Sequence, residues 1–427
     1  MSGGDSSRSQ PPPAECPEAA ARTTIHSLGE DLLLAIFLRL PSLATLVRAA
    51  LTCRAWRRAV ASSPLFRRRF RALHPSPFLG LFFDAPGGAT QFLSAPSFPS
   101  FVPDRHLDRD QAAAVRGGDF FLMSLQDRLR ESPCWEMVDC RRGYVLLVNW
   151  DKDLLAVLNP LIRQSERVFD LVSEDAVGRY RGLCFQLIPQ LLWSEEDPMS
   201  FRVVLPAHDK SRIRATVFSS DTGEWSVTPW VDVPVHSDSD YVNRWLRNER
   251  SMQADRILYW VYVDQSYLIS LDAETMKFSV AELPLCLSPR FDIGVSKHGV
   301  TCIVFSDRFN IGVLKHARDD GSVERWVLDR VVPLDVKLQQ ILQAPLNHYN
   351  ELSVLAVRDG YVYLATSVMF HDPRTPCWFM SLCLETMKLE KLFQRTFDSN
   401  AHPYIMAWPP SLVGNHGRFA LEFEDAS

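Results

Sequence analysis

Apolar residues in the first part of the chain fall at helical spacing. Leu28, Leu32, Leu33, Ile36, Phe37 and Leu40 recur every three to four positions up to Pro41, the wide apolar stripe of one short helix. Ser27 with Glu30 three residues on matches a capping box at its start. Ser42 is placed to cap a second helix carrying Leu43, Leu46, Val47, Ala50 and Leu51, and a third is expected from Thr52 through Trp56 and Val60. Ser63-Pro64 opens a fourth, since Pro is tolerated at a first helical position whose amide has no intrahelical partner. Leu65, Phe66, Phe70 and Leu73 are expected on its inner face, and Leu34 and Leu38 of the first helix off the core face. A unit of about fifty residues is marginal for a domain, so part of this apolar surface is expected to meet a partner.

Near Pro75-Ser76-Pro77 the pattern changes to short β-branched and aromatic runs separated by Gly, Pro, Asp and Asn. The runs come in pairs that read as hairpins: 143–148 with 154–158, 201–205 with 215–218, 257–262 with 267–271, 300–305 with 310–314, and 360–364 with 378–382. A polar turn and a further short strand follow each pair. Val168, Trp225, Phe278, Trp326 and Leu389 occupy equivalent positions at spacings of 57, 53, 48 and 63, and Glu-Thr-Met-Lys appears at both 274–277 and 385–388. A repeat of this size holds about four strands, which bury both faces only by packing radially against further copies, as in a propeller. The 352 residues from 76 onward predict six blades, with seven as the near alternative. The first blade is poorly defined between Phe78 and Leu125, and the last strand is expected to close the ring with sequence from the opposite end. The expected fold class is therefore an α+β multidomain chain: a disordered tail (1–23), a small helical domain (24–75) and an all-β propeller (76–427).

Charge divides at the same boundary. The 427 residues are 46% hydrophobic and 23% charged, with a formal net charge of -5. Between Thr24 and Pro75 nine Arg stand against Glu30 and Asp31, a local balance of +7; residues 1–23 carry -1, which leaves -11 from Ser76 onward. Bulk electrostatics therefore do not draw the chain onto nucleic acid or membrane. Arg67, Arg68, Arg69 and Arg71 read as a solvated helix face. The odd number of nine cysteines, scattered over a long chain, reads as reduced intracellular thiols, which predicts a cytoplasmic or nuclear protein. Neither a secretory leader nor a run of about 18 apolar residues is present.

Catalytic signatures are absent from the sequence: there is no Gly-x-Ser-x-Gly, no Walker loop and no Gly-x-Gly-x-x-Gly. Cys134/Cys140 and Cys377/Cys383 lie six apart, the spacing of core thiols on one strand face, and the 11 His are dispersed, so no metal or other cofactor is expected. Glu195-Glu196-Asp197 before Pro198 reads as a solvated loop. Trp193, Trp230, Trp245 and Trp260 sit at repeat spacings and read as blade packing.

The run from Leu28 to Pro41, followed by Leu43, Leu46, Cys53-Arg54-Ala55-Trp56-Arg57 and Ser63-Pro64-Leu65-Phe66, closely resembles an F-box over residues 24 to 72, departing from its pattern at Gly29 and Thr52. The hairpin ending in Asn159-Pro160, Leu258-Tyr259-Trp260 and the closing Tyr404-Ile405-Met406-Ala407-Trp408-Pro409-Pro410 resemble the kelch-like β-propeller domains associated with the F-box in plant proteins. The resemblance implies a three-helix module docking on the Skp-type adaptor of Skp, cullin and F-box (SCF) ubiquitin ligases. It implies contact through Leu28, Leu32, Leu33, Ile36, Leu40 and Pro41, with Leu43, Leu46, Cys53 and Trp56 shared between interface and core. The expected function is a non-catalytic substrate receptor, linked through the adaptor to cullin and presenting the propeller to a target protein whose identity the resemblance does not supply. The alternatives are a propeller enzyme or glycan binder tethered by its F-box, and an F-box scaffold without ubiquitination targets.

Overall fold

The computed structural model describes residues 28–84, 98–128, 135–162, 167–171, 185–186, 188–193, 200–209, 211–233, 246, 252–262, 267–284, 290–318, 324–343, 346–368, 376–396 and 400–413. The tail through Ser27, the Glu195-Glu196-Asp197 stretch, Trp245, and Cys16, Cys134, Cys184 and Cys286 lie outside them, as does the side chain of Trp193.

Four helices open the described chain: α1 (Glu30–Phe37), α2 (Leu43–Ala50), α3 (Arg54–Ala61) and α4 (Pro64–Leu73). Gly29 is the N-cap of α1 and offers no side-chain cap, so the expected capping box gives way to Glu30 and Asp31 in the first turn, where carboxylates favour the positive end of the helix dipole. Ser42 caps α2, its Oγ accepting from the Thr45 amide at 3.2 Å, and Ser63 does the same for Phe66 in α4 at 3.2 Å. The third helix starts at Arg54, two residues later than expected, with Cys53 as its N-cap.

Six sheets follow, arranged as the blades of a propeller. The first four-stranded blade runs outward from Glu136–Arg141 through Tyr144–Asn149 and Leu154–Leu158 to Arg167–Asp170. The third (Met252–Ala254 to Lys277–Glu282), fourth (Phe291–Val295 to Glu324–Pro333) and fifth (Tyr349–Arg358 to Leu389–Arg395) repeat that order. In the second, Phe201–His208 pairs with both Phe185–Gln186 and Gln190–Trp193, and Arg212–Ser219 with Trp225–Val227 and Val231–Asp232. All five hairpins read from the sequence are the two middle strands of a blade. Val168, Trp225, Phe278, Trp326 and Leu389 all lie on outer strands.

The stretch that reads in sequence as an ill-defined first blade supplies the last one. Phe78–Phe83 and Ser100–Pro103 join Ala401–Ile405 in a three-stranded sheet, so the two ends of the propeller close it by antiparallel pairing. Helices α5 (Arg109–Gly117) and α6 (Met123–Arg128) then lead into the first blade.

Strands sandwiched between neighbours on both faces bury most of their residues, which is why these runs are largely apolar. In the first blade Val145 and Leu147 pack toward the closing blade, while Leu146 and Val148 pack toward the second. Leu258 and Trp260 likewise face the second blade, and Tyr259 and Val261 the fourth. The remaining two interfaces, fourth to fifth and fifth to closing blade, complete six apolar layers around the ring.

Buried carboxylates stitch neighbouring blades together. Asp84 Oδ1 accepts from the Met137 amide at 3.2 Å, Asp139 Oδ2 from Leu191 at 2.9 Å, and Asp292 Oδ2 from Val357 at 2.7 Å, each across one blade boundary. Where the first and last blades meet, the Tyr404 hydroxyl lies 3.1 Å from the Gly143 carbonyl and 3.2 Å from Asn159 Oδ1, able to donate to either.

Candidate functional site

Two places collect the residues that could carry function: the helical unit, and the end of the propeller channel beside it. In α1, Leu33 and Phe37 lie one turn apart and are buried, at 5% and 2% exposure. Leu32 and Ile36, the preceding residue in each case, are 60% and 41% exposed. The core behind them holds Leu46, Ala50, Ala59, Val60, Phe66 and Phe70, with Phe37 edge-on to Trp56 at 5.6 Å.

The ten residues implied as adaptor contacts therefore separate. Leu33 and Leu46 are core; Leu40, Leu43 and Trp56 are half-buried against that core; Leu28 and Cys53 are half-buried; Leu32, Ile36 and Pro41 face outward. Leu34 and Leu38, expected off the core face, pack against it, because the helix turns its Leu33/Phe37 stripe inward and carries their flanking positions with it. In α4 only Phe66 and Phe70 are buried, while Leu65 and Leu73 are exposed. The arginine run is not uniformly solvated: Arg68 and Arg69 are exposed, Arg67 is buried, and the Arg71 guanidinium lies 5.6 Å from the Trp408 ring centre.

Trp408 comes from the other end of the chain. After closing the ring, the backbone carries Trp408, Leu412 and Val413 into the helical core. There Trp408 meets Phe70 edge-on at 6.0 Å and donates from Nε1 to the Leu412 carbonyl at 3.2 Å, and Arg57 Nε donates to the Ser411 carbonyl at 2.8 Å. Arg48 of α2 pairs with Asp110 of α5. The helical unit is thus seated on the propeller at several points.

At the adjoining channel mouth the first turns of two blades share a form. Arg142-Gly143 and Asp359-Gly360 are two-residue turns with positive φ at both positions (49° and 81°, 48° and 82°), each framed by Arg and Tyr. Arg142 and Asp359 form an ion pair at 3.3 Å. The recurring Arg-x-Gly-Tyr at 141–144 and 358–361 is the signal from which these turns could have been read.

Cys140 in the wall of this mouth is held protonated by burial, which pushes its thiol far above the usual range. Burial likewise raises Cys302 to about 12 and Cys377 to about 11. Trp260 is buried between blades, and Trp230 stacks under Arg212 and Arg214. Among the described residues no group of three or more His, Cys, Asp and Glu is placed to hold a metal, and no helix is long and apolar enough to cross a membrane.

A family model described as F-box-like matches residues 25–72, and the model "F-box protein AT5G49610-like, beta-propeller" matches residues 136–412. The chain belongs to this family of F-box and β-propeller proteins. Its F-box is the helical unit whose outward leucine and isoleucine are described above, and the family's two modules support a substrate-adaptor role. No curated protein matches the chain. Among solved structures it is similar to the nidogen/laminin complex (11% identity, TM-score 0.40, 76% of this chain and 96% of that one). It is also similar to a Lactobacillus plantarum protein (13%, 0.34, 62% and 72%) and to the propeller domain of Myceliophteria thermophila Cps50 (Swd1) (12%, 0.32, 61% and 72%).

Proposed function

We propose that this F-box protein is the non-catalytic substrate-recognition subunit of an SCF-type ubiquitin ligase, docking on a Skp-type adaptor and through it on cullin, while the propeller binds a target protein. The observation that carries the reading is the division of α1: Leu33 and Phe37 hold the fold, whereas Leu32 and Ile36 are turned away from it and exposed. Large apolar side chains on a short helix stay exposed at a cost of roughly 1.5 to 3 kcal/mol each relative to full burial, which a docking partner recovers. Pro41 extends this surface, and the half-buried Leu28, Leu40, Leu43, Cys53 and Trp56 border it, with Leu33 and Leu46 acting from beneath. Covalent chemistry belongs to other subunits, in keeping with the adaptor role of F-box and β-propeller proteins. Free thiols at Cys53, Cys140, Cys302, Cys377 and Cys383 support a reducing compartment, cytoplasm or nucleus.

The test is co-purification of the full chain with a Skp-type adaptor and cullin, beside Leu32→Asp and Ile36→Asp variants. Wild type is expected to bind, and both variants to lose binding with unchanged thermal unfolding. Equal binding by all three would remove α1 from the interface, and no binding by the wild type would remove the ligase reading.

A further inference from the structure

The antiparallel strands of a blade reverse at every turn, so turns between first and second strands lie at one end of the channel and turns between second and third strands at the other. The first end belongs to the F-box: Arg68 of α4 lines a cavity there together with Arg142, Asp255 and Asp359, all from turns between first and second strands. At the opposite end Tyr144–Asn149 of the first blade turns into Leu154–Leu158.

That turn presents Trp150, whose side chain is 48% exposed although tryptophan is on average a highly buried residue. Its Nε1 donates to Glu136 Oε2 at 2.8 Å, at the start of the inner strand of the same blade. The turn is held in place from both sides. Buried Asn149 accepts through Oδ1 from the Lys152 amide at 3.0 Å, and Asp153, at a φ of 52°, accepts through its carbonyl from the Leu171 amide at 2.6 Å. Among the described residues neither a cation nor a second ring lies against the indole, and the carboxylates of Glu136, Asp151 and Asp153 are in no ion pair. Three carboxylates thus stand against the single ammonium of Lys152. Behind Glu136 the channel holds a pocket of only about 40 Å³, room for water but not for a side chain, so a partner is met at the rim.

We infer that the propeller face turned away from the F-box holds the target protein, and that it takes an arginine-bearing segment whose guanidinium lies over Trp150 and against Glu136. An indole face attracts a cation through its quadrupole, and arginine, planar and weakly hydrated, both stacks on the ring and pairs with a carboxylate. Glu136 Oε1, the oxygen that the indole does not engage, is left for that pair. An acidic or phosphorylated segment would be repelled by the same three carboxylates. Because the turn and the indole are already held in place, docking orders little of this chain. The inference takes its partner, a protein target, from the substrate-receptor reading, while its residues are separate from the adaptor-docking Leu32 and Ile36.

The experiment is calorimetric titration of the full chain with a Gly-Ser-Arg repeat peptide at about 0.15 M ionic strength, where exposed charges are screened beyond about 8 Å. A Gly-Ser-Glu repeat peptide of equal length is titrated in parallel. The variants are Trp150→Ala, Glu136→Gln and, as a charge-matched control in an exposed turn at the F-box end of the second blade, Glu224→Gln. The amide of Glu136→Gln still accepts from the indole, so this variant keeps the turn whatever Trp150→Ala does to it. Saturable binding of the arginine peptide is expected, weakened about tenfold or more by Trp150→Ala and about threefold or more by Glu136→Gln, and unchanged in Glu224→Gln. Absence of saturable binding, equal affinity for the glutamate peptide, an equal loss in Glu224→Gln, or unchanged affinity in both Trp150→Ala and Glu136→Gln would each overturn the inference. The same proteins are co-purified with the Skp-type adaptor, which all of them should bind alike. Loss of peptide binding with adaptor binding intact removes this inference alone, whereas a wild type that binds no adaptor removes the ligase reading.

Discussion

Gly143 shows how closely single residues are constrained where the ring closes. Its φ of +81° lies in the left-handed region, and a Cβ there would come within 2.6 Å of the Ala407 Cβ, so both backbone and space exclude a side chain. Gly143→Ala is expected to destabilise the chain by about 1 to 3 kcal/mol, read as a lower midpoint in urea unfolding. Tyr404→Phe, which removes only the hydroxyl beside the Gly143 carbonyl, should cost about 0.5 to 1.5 kcal/mol in the same assay. His208 introduces a pH dependence. Burial lowers its pKa below 6.5, and its Nε2 accepts from the Leu246 amide at 3.3 Å, so the folded protein holds it neutral. The unfolded chain takes up that proton near 6.5 while the folded chain resists, so this stability is present in full above 6.5 and lost as pH falls below it. Melting temperature measured from pH 8 to 5 should fall on the acid side, and His208→Gln should flatten that limb.

At the scale of an element, α1 sets buried and exposed apolar residues side by side. Leu33→Ala removes a side chain from the centre of the F-box core and should cost about 2 to 5 kcal/mol, detected as loss of amide-exchange protection across α1 to α4. Leu32→Ala, one residue away but outward, should leave protection unchanged. The sequence marked both as members of one apolar stripe, but periodicity alone did not say which edge of that stripe faces the core. The stripe is wider than the surface α2 and α3 present to it, so Leu34 and Leu38 went inward and Leu32 and Ile36 outward. Inner strands were invisible for a different reason. Met252–Ala254 has three residues, and the strands lining the channel carry Asp139, Arg141, Gln253 and Asp292, which break the apolar signal that exposed the middle hairpins.

For the whole molecule, the decisive contact joins residues about 340 positions apart. Trp408 lies under Phe70 and beneath Arg71, so the F-box core is finished by the segment that follows the closing strand. Trp408→Ala is expected to cost about 3 to 5 kcal/mol and to raise protease sensitivity within α1 to α4, while the third and fourth blades, whose cores form separate clusters, stay resistant. The same contact ties the orientation of the propeller to that of the F-box: a ligase reading requires the target to be held at a set position relative to the adaptor, and a linker of only His74 to Pro77 would not fix it alone.

Local information determined what is local. Helix caps at Ser42 and Ser63, the middle hairpins, the repeat of about 55 residues and the motif residues of the F-box all lie within short windows, where hydrophobic period and turn chemistry act directly. Tertiary structure alone decided which residues of the α1 stripe were left exposed, that Phe78–Phe83 belongs to the last blade, and that Trp408 completes the F-box. It also gathered arginines from four blades and α4 around one cavity. Those outcomes depend on ring closure, which brings together segments whose separation along the chain leaves no periodic or compositional trace.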